Sequence, residues 1–215
     1  MRAGFLISIA LSVATLVILA RALSAGPPPA LTGSPPEGRG RRLRPELRRL
    51  LVADCLVRLC EGLPDVFLVV WALEVVRITP ARFGILTSIL MLTAIASYLP
   101  AAALARRAEK KPFVVLTYAF FTLFPLAVVA SRSFAALAAA FVVGGLREIG
   151  EPARKALIVD LADPAARGRT VGTYYTLRGL AVAGAAAAGG ALWTIRPSLT
   201  FYVAGALGAA GTAFA

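Results

Sequence analysis

Residues 50–76 read LLVADCLVRLCEGLPDVFLVVWALEVV. The run has the length of a membrane-crossing helix, which needs roughly 20 apolar residues to span about 30 Å of hydrocarbon. Inside it stand Asp54, Arg58, Glu61 and Asp65. Their spacings of four, three and four put all of them on one helical face. Ionisable groups at such depth are costly in hydrocarbon and face a bundle interior or an aqueous path. The stretch therefore predicts a membrane helix with a charged face turned inward.

Six further apolar runs cover residues 4–23, 83–105, 112–131, 134–158, 171–193 and 199–215. They are punctuated by Thr79-Pro80, Lys111-Pro112, Asp163-Pro164 and Arg196-Pro197. Strand-like alternation is absent, and helices satisfy their own backbone groups in lipid. Composition agrees: 59% of the 215 residues are hydrophobic, 16% are charged, and the mean hydropathy is +0.78. A water-soluble domain carries about a quarter charged residues. The expected fold is an all-α polytopic transmembrane bundle of about seven spans.

The net charge of +12 raises the question of nucleic-acid binding. The bases lie in short segments between apolar runs, however, and no soluble basic domain remains once those runs are assigned. No nucleic-acid partner is expected. The chain has no histidine, which excludes His-dependent triads, intramembrane Ser-His proteases and His-ligated zinc. Cys55 and Cys60 point different ways on one helix and read as apolar fillers. No metal and no cofactor is expected.

Charge sets the orientation. Arg39, Arg41, Arg42, Arg44, Arg48, Arg49, Arg106, Arg107, Lys110, Lys111, Arg154, Lys155, Arg167 and Arg169 fall on one side; Arg2, Arg77, Arg82, Arg132 and Arg196 fall on the other. Fourteen against five places the first set in the cytoplasm, with the amino terminus outside and the last helix ending inside. A multi-pass plasma-membrane protein follows. Residues 1–23 form the first helix; its length favours a true span over a cleaved signal peptide. Residues 24–48 read as a basic cytoplasmic linker, whose arginines could touch anionic lipid, and residues 49–215 as a six-helix bundle. The lone leading helix and the abrupt end at Ala215 suggest a piece of a longer protein.

Other buried charges accompany the first set: Arg147, Glu148 and Glu151 in the fifth run and Arg178 in the sixth. At about 1.5 Å per residue, Asp54 and Arg58 lie about 6–12 Å from the cytoplasmic edge, Glu61 about 16 Å and Arg178 about 10 Å. Charges from three helices thus share one layer, in which Arg178 is expected to pair with Glu148 or Glu151. Asp54, Arg58, Arg147, Glu148, Glu151 and Arg178 are the candidate cytoplasmic gate. A static cluster that only fixes helix packing is the plainer reading of Asp54, Arg58 and Arg147. Five acids against three bases leave at least two carboxylates without a partner in this set. Glu61 and Asp65, flanking Pro64, are the candidates for those surplus acids and for proton coupling along a solute path. On the sixth run Gly172, Thr176, Gly179, Ala183, Ala187 and Gly190 form a small-residue stripe expected to pack closely against another helix.

The whole chain resembles the carboxyl-terminal half of a major facilitator superfamily transporter. One helix, a basic loop and six helices are similar to that family's sixth helix, central loop and second bundle. The connection Ala102-Ala-Leu-Ala-Arg-Arg-Ala-Glu-Lys-Lys111 resembles its loop signature G-x-L-A-D-R-x-G-R-R. Arg107, Lys110 and Lys111 match its bases, whereas Arg106 replaces its acid and Ala102 and Glu109 its glycines. Arg147, Gly150, Pro152, Asp160, Pro164, Arg167-Gly168 and Gly172 resemble the family's pattern around the tenth-to-eleventh loop.

The resemblance implies secondary transport of a small-molecule solute by alternating access, with two bundles rocking about a central site. A chain holding one full bundle would then need a missing amino-terminal half or a second copy. A membrane-embedded enzyme is the first rival, but it would have to act through carboxylates that alternate with arginines. A non-transporting membrane scaffold that docks through its basic linker is the second.

Overall fold

The computed structural model describes residues 2–24, 43–104 and 110–215. Most of the 24–48 linker, and Arg106, Arg107 and Glu109 of the loop motif, therefore lie outside the described residues. The chain divides into two compact units, Met1–Glu37 and Gly38–Ala215. The first holds α1 (Arg2–Ser24), an unbroken helix that leaves Leu16 71% and Ile18 68% exposed. Its Thr15 hydroxyl donates to the Leu11 carbonyl, so its polar groups are answered within the helix.

The second unit is a bundle of six spans, without strand among the described residues. The first span is α2 (Pro45–Gly62), α3 (Phe67–Val70) and a π-helical turn over Trp71–Val75. Then come α4 (Pro80–Leu104) and α5 (Lys110–Ala130). The fourth span is α6 (Phe134–Leu146), a 3-10 turn over Arg147–Gly150 and α7 (Glu151–Leu161). The fifth is α8 (Arg167–Val182) followed by α9 (Ala185–Ile195), and the last is α10 (Pro197–Phe214).

Three of the six spans are thus broken, each near its middle. Pro64 has no N–H to continue α2, and the chain restarts when the Phe67 and Leu68 amides donate to the Pro64 carbonyl. At Gly150 the helix passes so close to α5 that an added Cβ would lie 2.2 Å from the Phe113 carbonyl oxygen. The Gly150 amide donates to Thr117 Oγ1 at 2.6 Å there, which pins the 3-10 turn to α5. Between α8 and α9 the break falls at Ala183 and Gly184. Each broken span therefore has a half toward the basic end of the bundle (α2, α7, α8) and a half toward the far end (α3, α6, α9).

Only two helices are unbroken, long and apolar enough to cross a membrane by composition alone among the described residues: Pro80–Ala101 within α4 and Lys110–Ala130. The other spans carry the breaks and charges, which neighbours must shield. Helix α4 leaves Met91, Leu92, Ile95 and Leu99 more than half exposed. Water would not tolerate so continuous an apolar face; lipid does.

Close packing is made by residues other than the predicted stripe. Gly172, Gly179 and Gly184 have no neighbour within 4 Å of a built Cβ, and Ala183 and Ala187 are exposed. The close approaches belong instead to Gly189, against the Leu63 carbonyl, and to Gly205, Gly208 and Gly211 of α10, against α5 and α2. The reason is the break at Ala183–Gly184, which ends the regular helical register that the stripe assumes.

Candidate functional site

The halves toward the basic end are tied together by charge. Asp54 on α2 is completely buried, and its Oδ2 accepts from Arg154 Nη1 on α7 at 2.7 Å. The same oxygen accepts from Tyr174 Oη at 3.0 Å and from Arg178 Nη1 at 3.3 Å, both on α8. Arg154, 2% exposed, also donates from Nε and Nη2 to both oxygens of Glu151, at 2.6 and 2.7 Å. Arg58 Nη2 reaches the other side of Glu151 at 3.0 Å, and its Nη1 donates to Glu61 at 2.7 Å. Glu61 in turn faces Arg147 at 3.5 Å. An unbroken series of ion pairs therefore runs Arg178, Asp54, Arg154, Glu151, Arg58, Glu61, Arg147, across three spans.

Local structure places each member. One face of α2 carries Asp54, Arg58 and Glu61, as the i, i+4 and i, i+3 spacings require. Glu151 and Arg154 are one turn apart at the start of α7, immediately after the 3-10 turn that Gly150 locks to α5. Arg147 is held less by charge than by rings: its guanidinium lies 4.9 Å from the Phe121 centroid and 4.6 Å from that of Phe124, and Nε donates to the Gly144 carbonyl. Arg58 also lies over Phe121, at 5.1 Å. Arginine suits such stacked and forked roles better than lysine.

Two sequence expectations are corrected here. Arg178 pairs with Asp54 rather than with Glu148 or Glu151, because Arg58 and Arg154 already occupy Glu151 and the 3-10 turn directs Glu148 elsewhere. Glu61 is not a surplus acid, since it lies between Arg58 and Arg147. Among the described residues the carboxylates without an ion pair are Asp65 and Glu148. Arg154, assigned by sequence to the cytoplasmic bases, is the most buried arginine of the network. It was legible only through its i, i+3 spacing from Glu151. Tyr174 gave no signal of its own.

Removing a charge from such a cluster is expensive, about 3–5 kcal/mol, because its partner stays buried. The cluster is nonetheless not saturated. Asp54 Oδ1, Arg58 Nε and Tyr118 Oη are buried without a hydrogen-bond partner in the protein, and Arg58 Nε stands 3.8 Å from Asp54 Oδ1. Each such atom costs about 1–3 kcal/mol, more than a cluster serving packing alone has reason to carry.

Glu61 and Arg147 also open the network onto a cleft of about 620 Å³. Asp65 and Glu148 share its wall with Leu68, Phe83, Leu90, Met91 and Phe141. Of the loop-motif bases, Lys111 is exposed at the start of α5 and Lys110 pairs with Asp160 across the α7 end.

Broken spans, a buried ion-pair series and an open polar cleft in an apolar bundle define a polytopic membrane transporter domain. The family comparison makes this specific. Residues 50–215 match the Major Facilitator Superfamily, and the chain belongs to that superfamily of solute transporters. No curated protein matches the chain. Membership fixes a membrane location and transport of small-molecule solutes as the function, with the matched region covering all six spans of the bundle.

Proposed function

We propose that the Gly38–Ala215 bundle works in alternating access with a second six-helix bundle, and that the ion-pair series is its cytoplasmic gate. One observation carries this reading: the series joins α2, α7 and α8, the basic-end halves of the three broken spans, and none of the far-end halves. Helices broken mid-span can swing a half independently, and a mid-helix 3-10 turn is a common hinge. Gate closure then consists of Asp54, Glu151 and their arginines holding three helix halves together. Opening separates them about Pro64, Gly150 and Gly184.

Glu61 links this gate to the cleft. It shares its two oxygens between Arg58, inside the gate, and Arg147, at the cleft wall. A proton or solute that takes Glu61 from Arg58 weakens the gate from the cleft side. We assign Glu61 and Asp65 to this coupling path, with the amino terminus outside and the basic end in the cytoplasm of a plasma-membrane protein. The second bundle is supplied by an amino-terminal half or by another copy of the chain. The exposed Gly172, Gly179 and Ala183 face of α8 suits it, being smooth enough for close helix approach. In vesicles holding the assembled transporter, Glu61→Gln should uncouple uptake from the proton gradient. Unchanged proton-driven uptake would remove the coupling role.

A further inference from the structure

A second, smaller cavity lies away from the cleft, at the basic end of the bundle. It measures about 180 Å³ and sits among α2, α5, α7 and the end of α10. Its rim is polar, made by Glu46, Arg49 and Lys111; its walls are apolar, made by Leu50, Val114, Val115, Leu157 and Leu161. The family reading and the gate do not use it. Its depth can be read from the sequence, because Arg49 and Lys111 each stand one residue outside an apolar run, those of residues 50–76 and 112–131. The cavity is therefore at headgroup level, with its apolar walls pointing toward hydrocarbon.

The rim charges have no partners that would explain them. Arg49 spends only Nε, on the Phe214 carbonyl, and Lys111 makes no ion pair among the described residues. Glu46 lies in the first turn of α2, where an acid favours the helix dipole, yet it forms no ion pair with the two bases beside it. Two cations and one carboxylate thus stand unpaired around an amphipathic hollow. A soluble phosphate metabolite would have no use for five aliphatic walls. A phospholipid headgroup uses both, since basic hollows between spanning helices take lipid phosphates.

We propose that this cavity binds the headgroup of an aminophospholipid, phosphatidylethanolamine, from the surrounding leaflet. The phosphate is held by Arg49 and Lys111, and the primary ammonium by Glu46. The glycerol and the first methylenes lie along Val115 and Leu157. Charge matching selects this headgroup. Phosphatidylglycerol would satisfy the bases but leave Glu46 unanswered. Phosphatidylcholine brings a quaternary ammonium that cannot donate a hydrogen bond to a carboxylate.

The test is lipid retention by the purified chain in detergent, read by native mass spectrometry after incubation with equimolar phosphatidylethanolamine, phosphatidylglycerol and phosphatidylcholine. Phosphatidylethanolamine should be retained about tenfold over the other two, a difference of about 1.4 kcal/mol. Glu46→Gln should bring it down to the phosphatidylglycerol level, and Arg49→Ala with Lys111→Ala should reduce both to the phosphatidylcholine level. Arg48→Ala, an exposed base outside the cavity, should change nothing. Helicity by circular dichroism identifies any variant that fails to fold, and Glu46→Gln, an isosteric change on an exposed side chain, is the second route to an answer. Equal retention of the three lipids, preference for phosphatidylglycerol, or an effect of Arg48→Ala as large as that of the rim variants would overturn the assignment.

Discussion

Exchanging Arg154 for methionine keeps the volume of the side chain but withdraws three donors from two carboxylates. Asp54 then loses its 2.7 Å partner and keeps Tyr174 at 3.0 Å, Arg178 at 3.3 Å and Arg58 at 3.8 Å; Glu151 keeps Arg58 at 3.0 Å. Because both acids retain some cationic neighbour, the cost falls at the low end of the range for breaking a buried pair, about 3 kcal/mol. Asp54→Asn costs about the same, since Arg154 keeps its two bonds to Glu151. The double variant removes both ends of one bond. A direct, buried pair should show a coupling energy of about 2 kcal/mol, so the double variant costs about 4 kcal/mol rather than about 6. The assay is unfolding in mixed micelles with increasing dodecyl sulfate, followed by helicity and by Trp71 and Trp193 fluorescence. Lys110→Met and Asp160→Asn supply the contrast. Asp160 is 55% exposed, and that pair should couple by less than about 1 kcal/mol. Additivity within about 0.5 kcal/mol for Asp54 and Arg154 would refute the claim that they form one energetic unit.

Other perturbations probe the supports of the site. Gly150→Ala drives a methyl against the Phe113 carbonyl oxygen and should cost about 1–3 kcal/mol in the same unfolding assay, an overpacking penalty that backbone cannot relieve. Arg147→Lys keeps the charge but loses the double ring contact and the planar fork; it should cost about 1–2 kcal/mol, and a neutral outcome would show that charge alone holds the position. The 215-residue chain, reconstituted by itself at a protein-to-lipid ratio that disfavours dimers, should conduct no solute; robust flux there would contradict the need for a second bundle.

Much of the architecture could be read from the sequence because the bilayer imposes a length on every span and leaves helices as the economical solution. The shared face of Asp54, Arg58 and Glu61 was legible for a similar reason, since spacing along one helix is a local property. Pairing between helices was not. Whether Arg178 meets Asp54 or Glu151 depends on the 3-10 turn at Arg147–Gly150, and that turn depends on contact with Phe113 and Thr117 some 35 residues away in sequence. Arg154 was misassigned because bases near a helix end usually report topology, and only the burial created by α2 and α8 reverses that reading. The α8 stripe failed for a related cause: a run of small residues predicts close approach only while the helix keeps its register, and the break at Ala183–Gly184 interrupts it.

The gate reading and the static-packing alternative differ most directly in motion. Spin labels on Arg48 of α2, Lys155 of α7 and Arg169 of α8, all exposed, report separations between the basic-end halves once Cys55 and Cys60 are replaced. A matching pair on Val75 and Ile195 reports the far end. The account predicts two distance populations at the basic end by double electron–electron resonance, with Glu61→Gln and Arg154→Met shifting weight to the longer one and the far-end distance unchanged. A single, variant-independent distance at the basic end would contradict it and leave the buried charges as packing alone.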